Sequence, residues 1–162
     1  MIFAAVLALS SCAAPRAVVT FRDPQQPIYS SAVLNPASII GVWSQVAHFA
    51  ERPGCLATGV RFSMSGPGLR MDGQLCLAGK PTTVAGPMAP VGPGRFAQTG
   101  VSDAIWVLWA DTDVRTLVLG TPSGVFGMIL NRDDALPADR LTAAREILAW
   151  NGYDLDRLHL NP

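Results

Sequence analysis

A chain of 162 residues is long enough for one domain of ordinary size. Twelve Lys and Arg balance twelve Asp and Glu, and no local run is basic, which excludes a dedicated nucleic-acid binder. Hydrophobic residues make up 49% and charged residues 15%, and 15 glycines with 13 prolines suit short strands and many turns better than long helices.

The first element is an apolar run, Ile2 to Leu9, too short to span a bilayer. It has the character of the h-region of an export signal, although no Lys or Arg precedes it. Leu9-Ser10-Ser11-Cys12 follows and resembles the lipobox of bacterial lipoproteins. The resemblance implies a signal peptide over residues 1–11 and a Cys12 that becomes the N-terminus and carries diacylglyceryl and N-acyl chains. Each buried methylene contributes about 0.8 kcal/mol, so several chains hold a protein firmly where one does not. Ala13 and Ala14 follow, with no aspartate directly after Cys12. By resemblance to enterobacterial sorting, this implies lipid anchoring at the cell outer membrane, with the domain facing the periplasm. The alternative is a buried N-terminal strand with an ordinary free cysteine.

Residues 12–34 are mixed and turn-rich, with RDPQQP inside, and read as a lipidated tether and N-terminal arm. The folded domain is expected over 35–162. It opens on Asn35 and Pro36, a capping residue and a good first helical residue for a single turn. Eight strand-length segments follow, at 41–49, 57–64, 69–77, 81–87, 94–99, 104–110, 115–120 and 125–131. Prolines 87, 90 and 93 crowd the fourth and fifth, and prolines belong at sheet edges and bends. A hairpin closing at Ser65-Gly66-Pro67-Gly68 brings Cys55 and Cys76 near each other. An exported compartment permits a disulfide there, worth about 3 kcal/mol; two buried thiols are the alternative. His48 and His159 stand at no recognisable ligand spacing from these cysteines, and no metal is expected.

The period then changes. In PADRLTAAREILAWNG, Leu141, Ala144, Ile147 and Leu148 form a helical stripe, with Pro137 or Ala138 at its start and Gly152 as its stop. RLHLNP at the end is short enough to return to the sheet. AIWVLWAD is apolar on both alternations: Ile105, Val107 and Trp109 on one face, Trp106, Leu108 and Ala110 on the other. TLVLG behaves similarly. Two apolar faces need two dry partners, and a closed sheet with the helix outside supplies both. The fold class expected is all-β, an eight-stranded antiparallel up-and-down barrel with one C-terminal α-helix packed outside.

At this point the chain resembles a lipocalin, most of all the small lipid-anchored bacterial members. The first signature of that family, G-x-W, is met as Gly41-Val42-Trp43, and GVWSQVAHFAER is similar beyond those positions. The second, T-D-Y, is met as Thr112-Asp113-Val114 without its aromatic residue. The third is an arginine ending the last barrel strand, matched by Arg132 in GMILNRD. The resemblance runs from about residue 35 to 160 and implies that Trp43 closes one end of the barrel under Arg132. An arginine over an indole gains cation–π attraction of about 2 kcal/mol when desolvated, which supports the pairing independently.

The resemblance implies binding, storage or transport of a small hydrophobic ligand, such as a fatty acid or lysophospholipid, at the bacterial envelope. Candidate ligand-contacting residues are Val46, Phe62, Leu75, Ile105, Val107, Leu117 and Ile129, and a one-residue slip reverses the facing of each. His48, Arg61, Arg70 and Arg95 are candidate partners for a carboxylate or phosphate, against ordinary outer-face roles. Phe49, Phe96 and Phe126 read equally as core. The alternatives are a structural envelope lipoprotein with a filled barrel, and a lipocalin-type enzyme. Ser44 and Ser63 are the nucleophile candidates, but no G-x-S-x-G elbow, P-loop or dinucleotide fingerprint occurs. The expectation is therefore a binding protein with no catalytic residues, no cofactor and no nucleic-acid partner, whose partners are its ligand and, through the anchor, the bacterial membrane.

Overall fold

The computed structural model describes residues 18–98, 101 and 103–161. The expected signal peptide and Cys12 lie outside these residues. Asn35 caps a single 3-10 turn over Pro36–Ile39, its side chain accepting from the Ala37 N–H. The strands are β1 (Gly41–Phe49), β2 (Gly59–Ser65), β3 (Gly68–Leu77), β4 (Lys80–Gly92), β5 (Arg95–Gln98), β6 (Ile105–Ala110), β7 (Thr116–Gly120), β8 (Gly127–Asn131) and β9 (Leu158–Leu160). One helix, α1 (Ala138–Trp150), separates β8 from β9.

Each strand from β1 to β8 pairs antiparallel with the next, and β8 returns to β1. The strand β1 makes the closure. Its first residues, Gly41 to Trp43, pair with β2, while Ser44 to His48 pair with β8. Farther along, Ala47 to Phe49 take β9 as partner, with His159 beside His48. The result is a closed eight-stranded antiparallel barrel, with β9 added outside the closure.

Local sequence explains the tight connections. Between β2 and β3, Gly66 takes φ +57° ahead of Pro67, which suits a two-residue hairpin with glycine first. Between β3 and β4, Ala78 and Gly79 both have positive φ, 51° and 77°, as a type I′ turn requires. The fourth strand extends past the expected residue 87 to Gly92. It runs through Pro81 and Pro87, but that stretch pairs with β3 alone, because β5 pairs only from Met88 onward. A proline there removes no ladder bond that the sheet needs. Pro90 sits at a register shift against β5.

Two apolar cores follow from strand alternation. The inner one gathers residues of all eight barrel strands, including Trp43, Phe62, Leu75, Val84, Phe96, Val107, Leu117 and Met128. The outer one lies under α1, where Ala144 and Leu148 pack with Val118, Ile129 and Phe49. The segment TLVLG is thus buried on both faces: Leu117 and Leu119 inside, Val118 under the helix. In β6 a bulge between Val107 and Trp109 changes the phase. Trp109 therefore joins the outer core with Trp106, and Ala110 packs against the inner one, the reverse of strict alternation.

The arm before the barrel is pinned to it. Phe21 N–H donates to the Gly124 carbonyl at 2.7 Å, and Asp154 N–H donates to the Phe21 carbonyl at 2.9 Å. Buried Arg22 donates to the carbonyls of Asn151, Pro122 and Gln26. The arm thereby joins the end of α1 to the β7–β8 loop. Among the described residues, no helix is long and apolar enough to cross a membrane.

Candidate functional site

One end of the barrel is shut. Trp43 is fully buried, and its indole N–H donates to the Ile39 carbonyl at 2.7 Å. The Arg132 guanidinium lies 3.8 Å from the centre of that ring system. Its nitrogens donate to the carbonyls of Ser38 at 3.1 Å and Val42 at 3.3 Å. Burial pushes the guanidinium pKa down, yet arginine remains charged at neutral pH. Gly41 takes φ +118°, and a Cβ there would stand 2.6 Å from Arg132 Nη1. Glycine, indole and guanidinium therefore form one closure, in which each leaves room for the next. Phe62, Leu69, Phe96, Val107 and Leu117 fill the barrel above it.

A seam lies on the side where β1 leaves β2. The Gln45 side chain bridges it, accepting from the Cys76 N–H at 2.6 Å and donating to the Cys76 carbonyl at 3.1 Å. Its amide thus acts as a one-residue strand partner for β3 where β2 has ended. Close by, Cys55 and Cys76 form a disulfide, with Cα atoms 5.9 Å apart.

The other half of the barrel is hollow. A cavity of about 220 Å³ is lined by Met71, Leu75 and Leu77 of β3, Thr82 to Ala85 of β4, and Ile105, Leu119, Phe126 and Met128 opposite. Gln98 and Val101 complete the wall beside the stretch of β4 that has no β5 partner. Thr83 and Ala85 of that stretch are exposed, so the cavity reaches solvent along this edge. The lining contains no charged side chain; Thr82, Thr83 and Gln98 are its polar groups.

The seven candidate ligand-contacting residues fall into three places. Leu75 and Ile105 line the cavity. Phe62, Val107 and Leu117 face inward but belong to the filled half. Val46 and Ile129 face outward into the core beneath α1. Val46 lies three residues from inward-facing Trp43, which puts it on the opposite face. Ile129 stands between inward-facing Met128 and Leu130. The cationic candidates are elsewhere too. Arg70 pairs with Asp72 at 2.7 Å on the exposed surface, Arg95 stacks 4.0 Å from the Trp106 ring, and Arg61 is exposed. Of the phenylalanines, Phe126 lines the cavity, Phe96 fills the closed half and Phe49 lies in the outer core.

No family model and no curated protein matches the chain. Among solved structures, lobster apocrustacyanin A1 is similar with a TM-score of 0.58 and 18% identity, covering 78% of each chain. Crustacyanin has an eight-stranded antiparallel lipocalin barrel, and the same barrel is present here. The chain has the lipocalin fold. Thr112-Asp113-Val114, the region that resembles the second signature, forms the β6–β7 turn, and Asp111 accepts from the N–H groups of Arg115 and Thr116 to close it. Val114 adopts φ +52° and packs against the inner core in place of an aromatic residue.

Catalytic convergence is a separate question. Ser44 donates to Asp134 at 2.5 Å, and among the described residues no serine is hydrogen-bonded to His48 or His159. His48, on β1, instead lies buried beside the disulfide. Its Nδ1 is 2.8 Å from Asn161 Oδ1, its Nε2 has no partner, and burial lowers its pKa below the ordinary 6.5. Sequence spacing does not reveal this grouping, because His48, Cys55 and Cys76 come from a strand, a loop and a second strand.

Proposed function

We propose that this barrel binds part of one hydrophobic chain of a small amphipathic ligand, a fatty acid or lysophospholipid, at the bacterial envelope. The observation that carries the reading is the apolar cavity in the open half of the barrel. Its volume of about 220 Å³ exceeds the ~150 Å³ of an apolar cavity that takes up benzene and falls below the ~300 Å³ at which ordinary ligand clefts begin. A whole lysophospholipid is too large, so the chain end enters and the head remains in water. The absence of charge from the lining supports the same orientation, because a buried carboxylate or phosphate without a partner is costly. The exposed edge at Thr83 and Ala85 is the natural opening for the rest of the ligand.

Anchoring through Cys12 at the outer membrane belongs to the same reading. Val18 and Val19 lie with Ala78, Lys80 and Val125 at the open end of the barrel. Val18 is six positions after Cys12, a reach of at most about 20 Å. A short anchor keeps the opening near the membrane that holds the ligand and raises its effective concentration. Cys12→Ser moves the protein from the membrane to the soluble periplasmic fraction on this account; retention in the membrane contradicts it.

The binding test is displacement of a fluorescent fatty acid from delipidated protein by fatty acids of graded length and by lysophospholipid. Saturable binding at one site is expected, weakened at least tenfold by Val84→Phe with the strand signal intact. Failure of every amphiphile to bind a folded barrel favours the filled scaffold, for which the packed closed half is the supporting observation.

A further inference from the structure

We infer that two-electron reduction of the disulfide converts the seam between β1 and β3 into a site for one Zn²⁺ ion, held by the Cys55 and Cys76 thiolates and the His48 imidazole. A ring nitrogen of His48 and the two sulfurs lie within 4.8 Å of one another, and all three residues are buried. In a tetrahedral zinc site, neighbouring ligand atoms stand about 3.3–3.8 Å apart. Reduction frees the two sulfurs, which then have to move apart from bonding distance to that spacing, while the imidazole closes on them by about 1 Å. Cys55 can supply that shift, because it sits in the irregular segment between β1 and β2, next to Gly54 at φ +109°.

The orientation of the imidazole is the stronger evidence. Asn161 Nδ2 donates to the Gln45 carbonyl at 2.5 Å, which fixes the amide with Oδ1 toward His48. That oxygen only accepts, so the proton of the neutral ring is on Nδ1, and Nε2 carries the free lone pair. Nε2 is buried without a hydrogen-bond partner, on a residue only 1% exposed. A structural disulfide does not need a bare nitrogen beside it. A metal-ligating histidine is usually held this way, its other N–H given to a fixed acceptor. His159, whose Nε2 is 3.1 Å from the Ala50 carbonyl, is committed elsewhere. The fourth zinc position is therefore left to water. A groove bordered by Gln45, Leu56, Thr58 and Asn161 lies beside the site, next in sequence to Cys55 and lined by the residues that contact Cys76 and His48.

The chemistry balances with a dithiol as reductant. It gives two electrons and two protons to the disulfide, becomes a disulfide itself and leaves two protein thiols. Zinc then displaces the two thiol protons and forms two Zn–S bonds and one Zn–N bond. The same two chain segments are tied in both states, by a covalent bond when oxidised and by the ion when reduced.

The test uses the full chain carrying Cys12→Ser, so that its thiols are Cys55 and Cys76 alone. A phosphine reduces it in the absence of air, and Co²⁺ is titrated while circular dichroism follows the strands. One Co²⁺ per chain is expected, with a thiolate-to-cobalt charge-transfer band, tetrahedral d–d absorption and displacement by Zn²⁺; oxidised protein shows none of these. Asn161→Ala, which frees the ring without touching a ligand, weakens binding about 10–100-fold. His48→Gln weakens it at least tenfold. The inference is overturned if folded, reduced protein binds no stoichiometric cobalt, if both variants bind like the parent, or if binding occurs only with loss of the strand signal.

Discussion

At the scale of single residues, Gly41, Trp43 and Arg132 act as parts of one steric arrangement. Gly41 at φ +118° lies under Arg132 Nη1, so Gly41→Ala introduces both backbone strain and a clash. A loss of at least ~2 kcal/mol is expected in urea unfolding, with Arg132→Met non-additive to it because the two share one contact. Gln45 is more instructive, since nothing in its sequence neighbourhood marks it. Gln45→Leu removes both partners of the buried Cys76 N–H and C=O and is expected to cost about 1–3 kcal/mol for each group left bare.

His48 makes a prediction of opposite character, in pH. Its pKa is lowered in the folded chain, first by burial and also by His159, against the raising effect of Asn161. The unfolded chain therefore binds the proton more readily. His48 favours folding fully above the unfolded value of 6.5, and that contribution is lost as pH falls through the lower folded value. Unfolding followed at about pH 7.5 and about pH 5.5 should show a fall in stability that His48→Gln reduces. An identical fall in both proteins assigns the acid sensitivity to other groups.

At the scale of elements, hydrophobic period located the strands and the helix well, because both faces of the sheet are covered. The eight expected segments match β1 to β8 within a few residues, and α1 occupies the expected stripe. The misreadings have local causes. Bulges in β1 and β6 re-phase the alternation, and no turn residue announces either one. The extent of β4 beyond residue 87 was hidden because Pro90 is accommodated at a register shift against β5, which is a fact about a neighbour. The β3–β4 turn gives a stabilising prediction. Ala78 holds φ +51° in a position where asparagine is preferred, so Ala78→Asn should raise the melting temperature, by about 1 kcal/mol of stability. A lower melting temperature contradicts the turn assignment.

At the scale of the whole molecule, a solid half and a hollow half share one barrel. Indole, guanidinium and five large apolar side chains close one end, while Leu75, Val84, Ile105 and Leu119 face space at the other. The pattern of apolar faces made the barrel legible in the sequence. It did not show where filling stops, because Leu75 and Leu117 carry the same signal and differ only in height along the axis. The His48–Cys55–Cys76 grouping was hidden for a related reason: closure of the sheet creates it.

The direct test of this division is methyl NMR of isotopically labelled protein titrated with a fatty acid. The account predicts that methyl signals of Leu75, Val84, Ile105 and Leu119 shift together and saturate at one ligand per chain. Leu117, Val118 and Ile129 should hold still. Shifts centred on the outer core beneath α1, or no saturable shift in a folded barrel, would contradict it.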